Sequence, residues 1–150
     1  MLELKPCCEV FKLRILGLDY GERRIGLAIS DELGITAQGL PTLIRKTKNH
    51  DIDILAGHIQ RYAVEKIVIG YPVRLDGSEG IQCQKVNRFA SILEQSFSLP
   101  VVKWSETLST KEAEEILIRS GVSWRKRKDK VDQLAACIIL QTYLDAADKA

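Results

Sequence analysis

Apolar and polar positions follow two different rhythms along this chain. Up to residue 44 the apolar residues come in short runs broken by glycine and charge, as strands do. Beyond it they recur every three or four positions, as buried helix faces do. Residues 13–19 and 25–30 read as two strands joined by a turn at 20–24, and 35–44 as a third, irregular strand interrupted by Gly39 and Pro41. A basic linker, 45–48, follows. Ile52, Leu55, Ala56, Ile59 and Ala63 then mark a helix, with Asn49 or Asp51 as its cap. Residues 66–70 form a short β-branched strand and 71–80 a turn-rich loop. A second helix over 80–96 turns Cys83, Val86, Ala90, Leu93 and Phe97 inward, and 100–104 is a further strand. Ser109 and Glu112 have capping-box spacing for a helix that stops at Ser120 and Gly121. After the basic run 125–130, a last helix carries Val131, Leu134, Ala135, Ile138 and Thr142 on one face. Strands first, then helices alternating with strands, predict an α/β fold: a mixed sheet with helices on both faces.

Composition narrows the class. A chain of 150 residues, 45% hydrophobic and 28% charged, suits one globular domain, expected over 13–150 behind an N-terminal extension at 1–12. A net charge of +2 says little about partners, so any nucleic-acid contact has to rest on local clusters of cations. No run has the length of a membrane span, and the N-terminal residues have no apolar core of signal-peptide length. Cys7, Cys8, Cys83 and Cys137 form no C-x-x-C pair and have no histidine close in sequence, which predicts reduced thiols and a cytoplasmic setting.

Three acidic residues fall where strands of such a sheet end, the usual place for function in α/β sheets. Asp19 closes an apolar run, and buried strands spend a position on a charge mainly when it is paired or binds a metal. Glu106 follows the 100–104 strand, and Asp132 is expected in the first turn of the last helix. Taken singly, Glu106 reads as a solvated loop residue and Asp132 as an acid favouring a helix N-terminus. Together they form a set that would hold two divalent cations for in-line phosphodiester cleavage, and oxygen ligands suit Mg2+ or Mn2+. Arg23, Arg24, Arg74 and the run Arg125, Lys126, Arg127, Lys128 and Lys130 are the candidate contacts to backbone phosphates, against the plainer reading of that run as a solvated surface.

Four blocks in order then carry a family resemblance. They are Leu16-Gly-Leu-Asp-Tyr-Gly with Arg24-Ile-Gly-Leu-Ala-Ile-Ser-Asp31 and Leu33-Gly-Ile-Thr-Ala37; Ile67-Val-Ile-Gly-Tyr-Pro72 with Asp76-Gly-Ser-Glu-Gly80; Ser105-Glu-Thr-Leu-Ser-Thr110 with Glu112-Ala113; and Val131-Asp-Gln-Leu-Ala-Ala136 with Ile139-Leu-Gln141 and Tyr143-Leu144. Over residues 13–145 the chain resembles the YqgF/RuvX family, Holliday-junction-resolvase-like proteins also described as pre-16S rRNA nucleases. The resemblance implies a ribonuclease-H-like fold, a five-stranded mixed sheet whose first three strands are antiparallel, flanked by helices. It implies a metal site whose acids fall on Asp19, Glu106 and Asp132.

The sequence departs from the family pattern at several points. Ser105 and Thr107 stand where an aspartate and an arginine flank the family's glutamate, Glu22 replaces a small residue, and Arg74 replaces an asparagine. The expectation is a cytoplasmic, metal-dependent nuclease, a hydrolase of phosphodiester bonds that trims the 5′ end of precursor 16S rRNA in ribosome biogenesis, as a monomer or homodimer in contact with ribosomal precursor particles. A Holliday junction resolvase acting on branched DNA is the alternative, and a non-catalytic nucleic-acid-binding assembly factor is favoured by the altered residues around Glu106. An actin-like ATPase or sugar kinase shares the opening D-x-G turn but needs two such domains, more than 150 residues supply.

Overall fold

A computed structural model describes residues 14–72, 79–105 and 124–149. Its elements are β1 (Arg14–Asp19), β2 (Arg24–Ser30), β3 (Ala37–Ile44), α1 (Lys48–Tyr62), β4 (Val64–Tyr71), α2 (Ile81–Phe97), β5 (Val101–Ser105) and α3 (Trp124–Lys149). The strands form one sheet in the order β3-β2-β1-β4-β5. β1 pairs antiparallel with β2, and β2 antiparallel with β3, while β1, β4 and β5 run parallel. The carboxyl ends of β1, β4 and β5 therefore lie along one edge, where function is expected. The mixed five-stranded sheet matches the expected fold. The extension at 1–12 and the helix expected over 109–120 lie outside the described residues.

Both faces of the sheet are covered. One core packs Leu16, Leu18, Ile67 and Ile69 of the sheet against Leu55 of α1 and Val86, Phe89 and Leu93 of α2. The other packs Ile15, Ala28 and Val68 against Ala136, Ile139, Leu140 and Leu144 of α3. Successive β1 residues alternate between the two, as the strand period requires. Each fully buried Leu or Ile contributes roughly 1.5–3 kcal/mol.

Three local expectations need correcting. The cap of α1 is Thr47, whose side chain accepts from the His50 N–H, rather than Asn49 or Asp51. Gly39 and Pro41 do not break β3: the strand is an edge, where a missing donor is tolerated, and an extra residue is absorbed as the register slips between Ile25 and Leu27. The basic run 125–130 belongs to α3 itself, so Asp132 stands in about the third turn of that helix and not the first. A favourable helix dipole therefore does not explain Asp132, because the effect fades within the first turn.

The inward face of α3 also differs from the expected one. Ala136, Ile139, Leu140 and Leu144 are buried, whereas Leu134, Ala135, Ile138 and Thr142 lie half-exposed on its flanks. Residues 134–140 are apolar almost all round the helix, so hydrophobic period alone cannot choose a face. The sheet chooses it. Gly17, Ala28 and Gly39 stand side by side across β1, β2 and β3 and offer almost no side chain. A Cβ on Gly17 would meet the Cβ of Leu140 at 2.8 Å, and one on Gly39 would meet Gln133 Oε1 at 2.9 Å. At Gly26 a Cβ would lie 2.8 Å from the carbonyl carbon of Asp132 and closer still to its oxygen. The backbone of α3 thus rests directly on the sheet.

Two glycine substitutions separate close approach from backbone entropy. Gly26→Ala should destabilise the fold by about 1–3 kcal/mol or more, since the helix backbone must move. Gly57→Ala, in α1 with nothing within 4 Å of a new Cβ, should stabilise it by about 0.5–1 kcal/mol. Urea unfolding of both variants checks the opposite signs.

Candidate active site

The close approach of α3 brings the backbones of two of the expected acids to the same glycine. Asp19 ends β1 opposite Gly26 of β2. It continues the alternation of Ile15 and Gly17, which places it on the face covered by α3. Asp132 lies on the same stripe of α3 as Ala136 and Leu140, which face that sheet. Gly26 touches both residues, the first as strand partner and the second as the helix backbone it receives. Glu106, the third expected acid, lies outside the described residues, and β5 ends just before it at the edge that also carries the end of β1.

Arg24 opens β2 and reaches the same place. Its Nε stands 3.1 Å from Asp132 Oδ2, with side-chain exposures of 28% for Arg24 and 18% for Asp132, so solvent screens the pair only in part. That oxygen is buried, and the contact is one of charge at short range without hydrogen-bond alignment. Arg23 is exposed in the β1–β2 turn, and Lys130 is exposed on α3. Arg74 lies outside the described residues, as do the side chains of Arg125, Lys126, Arg127 and Lys128.

A second network, absent from the sequence reading, fixes the turn that follows Asp19. Arg45 donates from Nη1 to the Tyr20 hydroxyl at 3.0 Å and to the Gly21 carbonyl at 3.1 Å, and from Nε to Asp51 Oδ2 at 3.1 Å. Its guanidinium also lies over the rings of Tyr20 and Phe89. Asp51 is 2% exposed and accepts the Lys46 N–H and a contact from His50 Nδ1 on its other oxygen. Burial alone would push the Asp51 carboxyl up; the Lys46 N–H, the Arg45 guanidinium and His50 outweigh it and hold it below its ordinary 3.8. Gly21 is tight for the same turn, since a Cβ there would clash with the Arg24 carbonyl. No short-range sequence signal joins Arg45 to Tyr20, because the pairing depends on β3 ending beside the β1–β2 turn.

The departure at Glu22 is compensated. Lys85 of α2 pairs with it and holds its carboxyl below the ordinary range. Other parts of the motif blocks turn out to be structural. Ser30 Oγ accepts the Ile15 N–H, Asp31 Oδ1 accepts the N–H groups of Ile35 and Thr36, and Gln141 bonds Ala37 N and Ile35 O, tying the β2–β3 loop to α3. Trp104 packs against Tyr143 and donates to Thr142.

Oxygen donors at Asp19 and Asp132, on one face and braced by the same glycine, fit a hard divalent cation. Among the described residues no group of three Asp, Glu, His or Cys side chains gathers to hold one. No helix among them is long and apolar enough to cross a membrane.

A five-stranded mixed sheet of this order with helices on both faces is a ribonuclease-H-like fold. Solved structures agree on the fold. Thermus thermophilus RuvC in complex with a Holliday junction substrate is matched over 92% of this chain and 97% of that one, with a TM-score of 0.51 at 14% identity. The fowlpox virus resolvase in complex with Holliday junction DNA is matched over 90% and 99%, with a TM-score of 0.55 at 13% identity. The chain belongs to the RuvX family, described as Holliday junction resolvase, whose sequence model matches residues 13–146. A relative from Syntrophus aciditrophicus is 65% identical over 134 residues, 89% of each chain, and one from Halothermothrix orenii is 50% identical over 137 residues, 91% of this chain and 98% of that one. Both carry the name "Putative pre-16S rRNA nuclease".

The Asp51 network makes stability depend on pH. Asp51 is more acidic in the fold than in the unfolded chain, so its contribution is complete above about pH 4 and lost as pH falls through the folded value. Asp51→Asn should cost about 1–3 kcal/mol at pH 7, and the gap from wild type should narrow below about pH 4. Chemical denaturation at both pH values measures it.

Proposed function

We propose that this protein is a metal-dependent nuclease that processes the 5′ end of precursor 16S rRNA in the cytoplasm. The observation that supports the reading is that Asp19, at the carboxyl end of β1, and the backbone of Asp132 on α3 both lie against Gly26. The names of the relatives at 65% and 50% identity support the substrate. Asp19, Asp132 and Glu106 would hold one or two ions of Mg2+ or Mn2+. When bound, such ions supply Lewis acidity at the scissile phosphate.

The chain's own residues supply the rest. Asp19 and Asp132 reach the site from a strand end and a helix whose backbones both lie against Gly26. Arg24, beside Asp132, stands where a phosphate entering the site would meet a guanidinium suited to two-pronged contact. Arg23 offers a second cation from the turn. The Arg45 network holds Tyr20 and Gly21, and through them the position of Asp19.

A second reading, cleavage of branched DNA as a dimeric resolvase, draws on the family's description. Purified protein incubated with Mg2+ or Mn2+ and either a 5′-extended 16S precursor RNA or a four-way DNA junction separates the two. Wild type should cut the RNA, and Asp19→Asn and Asp132→Asn should each lower the rate by at least about 100-fold while keeping the far-UV spectrum. Preferred cutting of the junction would favour the second reading. No cutting of either, or variants as active as wild type, would remove the nuclease reading.

A further inference from the structure

An open cleft of about 1060 Å3 lies at the mouth of the sheet, between the β1–β2 turn, the end of β3 and the side of α2. Arg23, Arg24, Arg45, Lys46, Lys85 and Arg88 line it, against one acid, Glu22. Some of this charge is committed. Lys85 pairs with Glu22, and Arg45 is spent on Asp51, Tyr20 and Gly21. Arg23, Lys46 and Arg88 are exposed and take part in none of the described ion pairs.

Cations gathered in a concave site repel one another and focus a positive field, a cost that a bound polyanion removes. They come from the β1–β2 turn, the start of β2, the segment after β3 and α2, and they line an open cleft of about 1060 Å3. A single phosphate would leave most of such a cleft empty; a chain of phosphates would fill it. Arg24 links the cleft to the acid pair: it lines the one, and its Nε stands 3.1 Å from Asp132 Oδ2 in the other.

We propose that this cleft binds the sugar-phosphate backbone of the nucleic-acid strand flanking the cut, with Lys46 and Arg88 as its principal phosphate contacts. The assignment rests on the nuclease reading for what happens at the acids, but binding in the cleft requires no metal and no cleavage. The strand passes from the acid pair on the α3 side, over the end of β1 and the start of β2, and into the cleft beside α2. Neither residue stands out in the sequence: Lys46 lies in a linker and Arg88 on an exposed helix position, and only the fold sets them beside Arg23.

Fluorescence anisotropy with a labelled single-stranded RNA of about 12 nucleotides, in EDTA and across about 50 to 200 mM KCl, tests it. Each phosphate neutralised on a single strand contributes about 0.7 to the slope of log affinity against log salt. Lys46→Ala and Arg88→Ala should each flatten the slope by about 0.7 and the double variant by about 1.4. Arg61→Ala removes the same charge at the opposite end of α1, outside the cleft, and should leave the slope as in wild type. Unchanged slopes in the cleft variants, an equal change in Arg61→Ala, or no RNA binding by wild type would each overturn the proposal. The same proteins assayed for cleavage with Mg2+ keep the two readings apart. Flattened slopes without cleavage by wild type leave the cleft standing and remove the nuclease, and cleavage with unchanged slopes does the reverse.

Discussion

The contact on which this molecule depends is the seating of α3 on bare backbone. Helices usually stand about 10 Å from a sheet because side chains fill the space between. Here Gly17, Ala28 and Gly39 form a shallow track across three strands, and Gly26 takes the helix at its closest point. The track determines which side of a nearly all-apolar helix faces inward. That choice puts Asp132 against β2 one strand away from Asp19, so the packing that closes the second core also assembles the candidate site.

A second constraint acts from the other face. Buried Asp51 at the start of α1 holds Arg45, and Arg45 holds the hydroxyl of Tyr20 and the carbonyl of Gly21. The residue after Asp19 is thereby anchored to a helix on the side of the sheet away from α3. Asp19 lies between two braces, one of close packing and one of charge-assisted hydrogen bonds, which are among the stronger polar contacts available. The arrangement is what a site needs when its ligands must keep their separation.

Much of this was legible in the sequence because the signals are local. The apolar runs ending at Asp19 and Ser30 and the β-branched run around Val68 became strands within a residue or two of their expected limits. The face of α2 was readable too, since its polar positions are clear: Cys83, Val86, Ala90 and Leu93 are buried as the spacing requires. The face of α3 was not, because its apolar positions surround the helix and the deciding information lies in glycines of other elements. Those glycines look like turn or strand-breaking residues when read along the chain, and their meaning appears only when β1, β2 and β3 stand side by side. Asp19 and Asp132 could be named as partners from strand ends and motif order, but not how Gly26 joins them. The pairings of Arg24 with Asp132, Lys85 with Glu22 and Arg45 with Tyr20 join residues far apart in sequence, and spacing carries no trace of them.

The central claim is that Asp19 and Asp132 act as one cation site, and Mn2+ binding followed by electron paramagnetic resonance tests it without reference to any substrate. Titration of free Mn2+ signal with wild-type protein should show binding that is lost, or weakened at least about tenfold, in both Asp19→Asn and Asp132→Asn. Mn2+ binding that survives unchanged in both variants would contradict the account.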